Sequence, residues 1–208
     1  MDDLVTQANV NEIIERELPS LPGWCTNEKG CRLAELVRGT QLVVELGVFG
    51  GRSLVAMALG LRDSSNDFSR VDGIDPYTPA AALEGGNHPD NDSWWSSLDY
   101  EAVARAAQDA LYRLDLMPYA RLVRMLSREV VGFYGDGTID VLHQDANHSE
   151  ATSCEEVTRW TPKIRVGGYW VFDDTNWEST KKAQQMLVQL GFSEIEDHVS
   201  WKVYLKCS

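Results

Sequence analysis

The stretch GGYWVFDDTNW, residues 167–177, ends an apolar run in two adjacent acids, Asp173 and Asp174. Neighbouring carboxylates repel each other unless a cation lies close by. A second stretch, IDVLHQDANH, places Asp145 at the end of another apolar run, with His148 three residues on. An imidazole near neutrality can take a proton from a hydroxyl group, help that contributes ~10²–10⁴-fold to a rate. A third stretch, ELGVFGGRS, is rich in small residues that let the backbone approach a ligand closely. The acid of the following GIDPY, Asp75, is placed to accept hydrogen bonds from a ribose. The glycine stretch is neither GxGxxG nor a phosphate loop, which would need a lysine followed by serine or threonine.

These residues need a scaffold that carries them to one place. Residues 3–18 and 26–38 read as helices. Thr26 is the expected N-cap of the second, and Gly30 should weaken its first turn. A short strand at 41–46 leads through the glycine turn to a helix from about Ser53 to Leu61, then to a strand ending at Asp75. Residues 78–98 carry two prolines, two glycines and several Asn, Asp and Ser residues. They are expected to form a long loop, of the kind used as a lid or substrate loop. A helix at 99–115, a strand in ARLVRML, a strand in TIDVLHQDA and a helix in SEATSCEEVTRW follow. Gly167 and Gly168 should turn the chain into a fifth strand that places Tyr169 and Val171 on one face, Trp170 and Phe172 on the other. A helix at 180–190 and strands at 193–198 and 201–206 close the chain, the last strand antiparallel to its neighbour. Alternating strands and helices predict an α/β sandwich with a mainly parallel sheet. Ligands bind such sheets beyond the carboxyl ends of the strands, which gathers Glu45 to Gly51, Asp75, Ser127, Asp145 and Asp173–Asp174 around one crevice.

VVELGVFGGRS and GIDPY together resemble the first motif and second-strand acid of the class I S-adenosylmethionine-dependent methyltransferases. That resemblance implies a Rossmann-like three-layer sandwich with a seven-stranded, mostly parallel sheet and an antiparallel last strand. It implies that Glu45, Gly47, Gly51 and Ser53 line the methionine end of the cofactor, that Asp75 holds the ribose, and that Ser127 lies near the adenine. Asp145, His148, Asp173 and Asp174 narrow the resemblance to the metal-dependent O-methyltransferases, of the macrocin or sugar-modifying kind. By that likeness Asp145, Asp173 and Asp174 would bind Mg²⁺ or another divalent cation, His148 would be the base, and Asp145 would share in catalysis. Three oxygen ligands suit a hard cation, but an ideal strand would point Asp173 and Asp174 apart, so the chain must leave the extended form at Asp173. The alternative is that one of the paired acids is exposed and the other caps the next helix.

The expected reaction is methyl transfer to a hydroxyl of a small molecule, a sugar or polyol before a phenol. Two other readings remain open: a hydroxylase-associated relative, and a non-catalytic module that binds S-adenosylmethionine. Trp177 should wall the substrate pocket, while Trp94 and Trp95 read as loop anchors or interface residues ahead of a closing lid. His88 reads as a loop residue and His143 as structural.

At 208 residues the chain is expected to be one domain over 1–208, with 1–38 as a helical cap and 78–98 as the lid or substrate loop. Its 32 acids against 19 Lys plus Arg give a net charge of −13, which argues against tracking a phosphate backbone. No apolar run approaches the ~20 residues of a membrane span, and the start of the chain does not resemble a signal peptide. The four scattered cysteines suggest neither a zinc site nor a disulfide framework. A cytoplasmic protein without nucleic-acid or membrane partners is expected, with a homo-oligomer left open.

Overall fold

The computed structural model describes residues 2–63, 68–85 and 89–208. Two helices open the chain, α1 (Asp2–Glu17) and α2 (Asn27–Leu36). The Thr26 side chain accepts the Lys29 N–H at the start of α2, as the capping signal predicts. Gly30 has a packing reason: a Cβ there would lie 2.7 Å from Leu18 Cδ2, so a larger residue would push the Leu18 side chain aside.

Strands β1 (Leu42–Leu46), β2 (Arg70–Ile74), β3 (Ala120–Val123), β4 (Ile139–Gln144) and β5 (Ile164–Asp173) pair in parallel, and β6 (Phe192–Asp197) and β7 (Trp201–Lys206) complete the sheet. The order is β3-β2-β1-β4-β5-β7-β6, with β7 antiparallel to both of its neighbours. Side-chain alternation divides the core in two. Val43, Val141, Val171 and Val203 pack with α1, α2 and α3 (Arg52–Arg62), whereas Val44, Leu142, Trp170 and Phe172 pack with α8 (Glu150–Trp160) and α9 (Lys181–Gln189). The result is the expected Rossmann-like α/β sandwich of three layers.

Two expectations change. Gly167 and Gly168 lie inside β5, not in a turn before it; the pairing jumps from Ile139–Ile164 to Val141–Tyr169, and Gly167 takes φ +79° within the irregularity. The described part of 78–98 is partly helical, with α4 (Pro79–Ala82) capped by Thr78 and α5 (Pro89–Ser96). His88 lies outside the described residues. Among the described residues no helix is long and apolar enough to cross a membrane.

Candidate active site

The glycine turn between β1 and α3 crosses the end of β4. Gly47 takes φ +82°, and a Cβ on it would sit 2.1 Å from the Asp145 carbonyl oxygen, so the crossing requires glycine. Asp75, just past β2, pins the same turn. Its Oδ2 accepts the N–H groups of Val48 and Phe49, both at 3.0 Å, and its Oδ1 accepts that of Tyr77 at 2.8 Å. Burial pushes the Asp75 pKa up, against these hydrogen bonds.

Two neighbouring cavities open beyond the strand ends and share Gly47, Phe49, Asp145, His148 and Trp177 in their walls. Asp75, Ser127 and Glu156 line the first. The second, of about 680 Å³, is lined by Trp24, Lys29, Ser53, Asp173 and Asp174. Rings of Trp24, Phe49, Trp94 and Trp95 touch one another at its rim, with centroids 4.9 to 6.1 Å apart. Trp94 and Trp95 thus join the 78–98 segment to the glycine turn and to the chain before α2.

Two residues expected at the methionine end sit differently. Glu45 faces inward from β1, fully buried, with Oε1 2.9 Å from His143 Nδ1. Gly51 caps α3 at φ +89° and packs near Ala107 on α6 (Tyr100–Arg113); neither it nor Glu45 lines either cavity. Ser127 opens the short helix α7 (Ser127–Val130), and its hydroxyl donates to Glu156 Oε1 at 2.7 Å.

The three aspartates do not gather around one centre. The described residues form two groups sharing Asp145, namely His143–Asp145–Asp173 and Asp145–His148–Asp174, each with ligand atoms within 4.8 Å of one another. The chain leaves the extended form at Asp174, just past the end of β5. Asp173 shares a face with Val171 and points toward α2, whereas Asp174, at φ +50°, turns toward His148. Each of the two adjacent acids has a nitrogen partner among the side chains. The Lys29 ammonium pairs with Asp173, and the His148 imidazole pairs with Asp174 while its ring stands edge-on to Trp177.

Burial and the Asp173 charge raise the Asp145 pKa well above the usual carboxylate range. Burial acts on Asp173 in the same direction, but Lys29 and His143, with hydrogen bonds from Asp145 and Lys29, outweigh it and hold Asp173 down at about 2. Burial likewise opposes the charge on Lys29, and the facing carboxylates of Asp173 and Asp145 overcome it and raise the pKa.

Lys29 was not singled out from the sequence, though it carries a signal. Lys29, Leu33 and Leu36 fall at i, i+4 and i+7 along the buried side of α2, a position where a charge needs a partner. Glu156 is another buried acid that the motifs did not mark.

A family model described as a methyltransferase domain matches residues 44–175. Solved structures share the fold. The O-methyltransferase NovP aligns over 97% of this chain and 79% of its own, with a TM-score of 0.64 and 16% identity. The O-methyltransferase from Bacillus cereus in complex with SAH aligns over 96% and 88%, with a TM-score of 0.57 and 14% identity. Cofactor-bound Rv0187 from MTB aligns over 99% and 90%, with a TM-score of 0.60 and 16% identity. No curated protein sequence matches the chain.

Proposed function

The chain belongs to the methyltransferase-domain family, and from that premise we propose that it transfers the methyl group of S-adenosylmethionine to a hydroxyl oxygen of a small molecule. One observation carries this reading. The Asp145–His148–Asp174 group stands in the wall common to both cavities, beside the glycine turn that Asp75 pins. A sulfonium donor seated against that turn and an acceptor in the larger cavity would meet there.

In the proposed step the acceptor oxygen attacks the methyl carbon in line. The carbon–sulfur bond breaks, its electron pair stays on sulfur to give a thioether, and the hydroxyl proton goes to the His148 imidazole. Asp174 orients His148, and Trp177 holds the imidazole edge-on. The remaining contribution is placement of the two reactants. NovP and the Bacillus cereus protein are described as O-methyltransferases, which supports oxygen as the acceptor atom. The indole faces at the larger cavity suit the apolar face of a sugar ring or another flat polyol.

The residues fit a divalent cation with a smaller set than the sequence suggests. Asp145, His148 and Asp174 bring ligand atoms within 4.8 Å of one another. They would hold Mg²⁺ or another divalent cation, which would acidify a bound hydroxyl when present.

The test is incubation of the protein with methyl-labelled S-adenosylmethionine, Mg²⁺ and pooled sugar, polyol and phenol acceptors, read by mass. A product heavier by one methyl group is the expected result. An added oxygen, or no transfer from a cofactor shown to bind, would overturn the proposal.

A further inference from the structure

We infer that Lys29 is a positioning residue that withholds Asp173 from the cation-binding set and leaves Asp145 and Asp174 to hold the ion, an assignment that rests on the reading above. Lys29 lies outside the stretch 44–175 matched by the family model, on helix α2. Its side chain is only 4% exposed, so the ammonium is committed to this site. It pairs with Asp173 beside the Trp201 ring, 6.0 Å from the ring centroid.

The geometry gives the pairing a consequence. Two acids adjacent in sequence could both serve one ion if both were free. Lys29 neutralises one of them through a tether that solvent cations cannot displace without exposing a buried ammonium. On the far side of Asp173, His143 Nε2 lies 3.9 Å from the same oxygen, Oδ2, that receives Lys29. Asp173 therefore lines the larger cavity already paired to Lys29, with His143 nearby, and Asp145 and Asp174 are the acids of that wall left without a lysine partner.

Mn²⁺ titration of the full chain by calorimetry, with electron paramagnetic resonance as a second reading, tests this without turnover. Asp174→Asn is expected to lose about tenfold or more in Mn²⁺ affinity, whereas Asp173→Asn should stay within about twofold of the parent. Lys29→Met frees a third carboxylate and should bind Mn²⁺ about tenfold more tightly. Equal losses for Asp173→Asn and Asp174→Asn would overturn the inference. So would failure of both the parent and Lys29→Met to bind the ion. Should Lys29→Met not fold, the two aspartate variants decide the matter. Absence of methyl transfer by a parent protein that binds Mn²⁺ in this pattern would count against the proposed reaction and leave the role of Lys29 standing.

Discussion

Glu45 on β1 and His143 on β4 are direct partners across the two central strands, and their side chains meet at 2.9 Å with neither exposed to solvent. The pair lies beneath the acids of the site, since His143 also faces Asp173. Each member keeps one buried atom, Glu45 Oε2 and His143 Nε2, without a hydrogen-bond partner. Removing the carboxylate would strip the imidazole of its remaining partner and leave a cavity. Glu45→Ala is therefore expected to lose about 2–5 kcal/mol of stability. Urea unfolding checks this, and a midpoint equal to the parent's would show that the pair contributes nothing.

His148→Ala should separate chemistry from binding. The imidazole stands between Asp174 and Trp177 at the cavity wall, where it can receive a proton but offers little area to a substrate. A loss of about 10²-fold in kcat with a small change in KM is expected. Steady-state kinetics on the identified acceptor measure both, and an unchanged kcat would place the base elsewhere.

Asp75→Ala should weaken cofactor binding by about tenfold or more, a loss of at least ~1.4 kcal/mol. The structure gives two routes to that loss. The carboxylate fixes the turn through Val48 and Phe49, and it lines the cavity where a ribose would lie. Calorimetry with S-adenosylhomocysteine and with its analogue lacking the ribose hydroxyls separates them. If Asp75 binds the ribose, the parent prefers the natural ligand and the variant loses that preference. A preference retained in full would confine Asp75 to the turn.

The strands were readable because each is a short apolar run punctuated by glycine, proline or acid, and alternation along β5 correctly divided its side chains between two faces. That same alternation required the chain to leave the extended form at Asp173 for both acids to reach one ion; it leaves that form at Asp174, which turns to His148 while Asp173 pairs with Lys29. The 78–98 segment misled because its proline, threonine and asparagine residues serve helix starts as well as loops. Thr78 and Pro79 open α4, and packing of Trp94 and Trp95 on the distant Trp24 and Phe49 is invisible to local composition. Lys29 escaped notice for the same reason, because its partner Asp173 is far along the chain.

Glu156 is expected to make the stability of this fold depend on pH. It is buried at the first cavity, accepts from Ser127 Oγ and from Gln144 Nε2 at 2.9 Å, and Gln144 in turn accepts from Trp170 Nε1 at 3.1 Å. Burial pushes its pKa up from the usual 4.5 to about 7, beyond what the hydrogen bonds from Ser127 and Gln144 restrain. A carboxyl with a raised folded pKa binds its proton more tightly in the folded state than in the unfolded chain. Its contribution is therefore fully present below pH 4.5 and is lost as pH rises through about 7. The rise to about 7 corresponds to roughly 3 kcal/mol. Glu156→Gln imitates the protonated acid, with the amide N–H donating to Ser127 and its oxygen accepting from Gln144. It should remove that portion of the pH dependence while other titrating groups act equally on both proteins. The stability of the variant relative to the parent is thus expected to grow by roughly 3 kcal/mol between about pH 4.5 and pH 8. Urea unfolding of both proteins across that range gives the difference directly. A constant difference would mean that Glu156 titrates alike in the folded and unfolded states, and that the Ser127–Glu156–Gln144 chain compensates the buried charge in full.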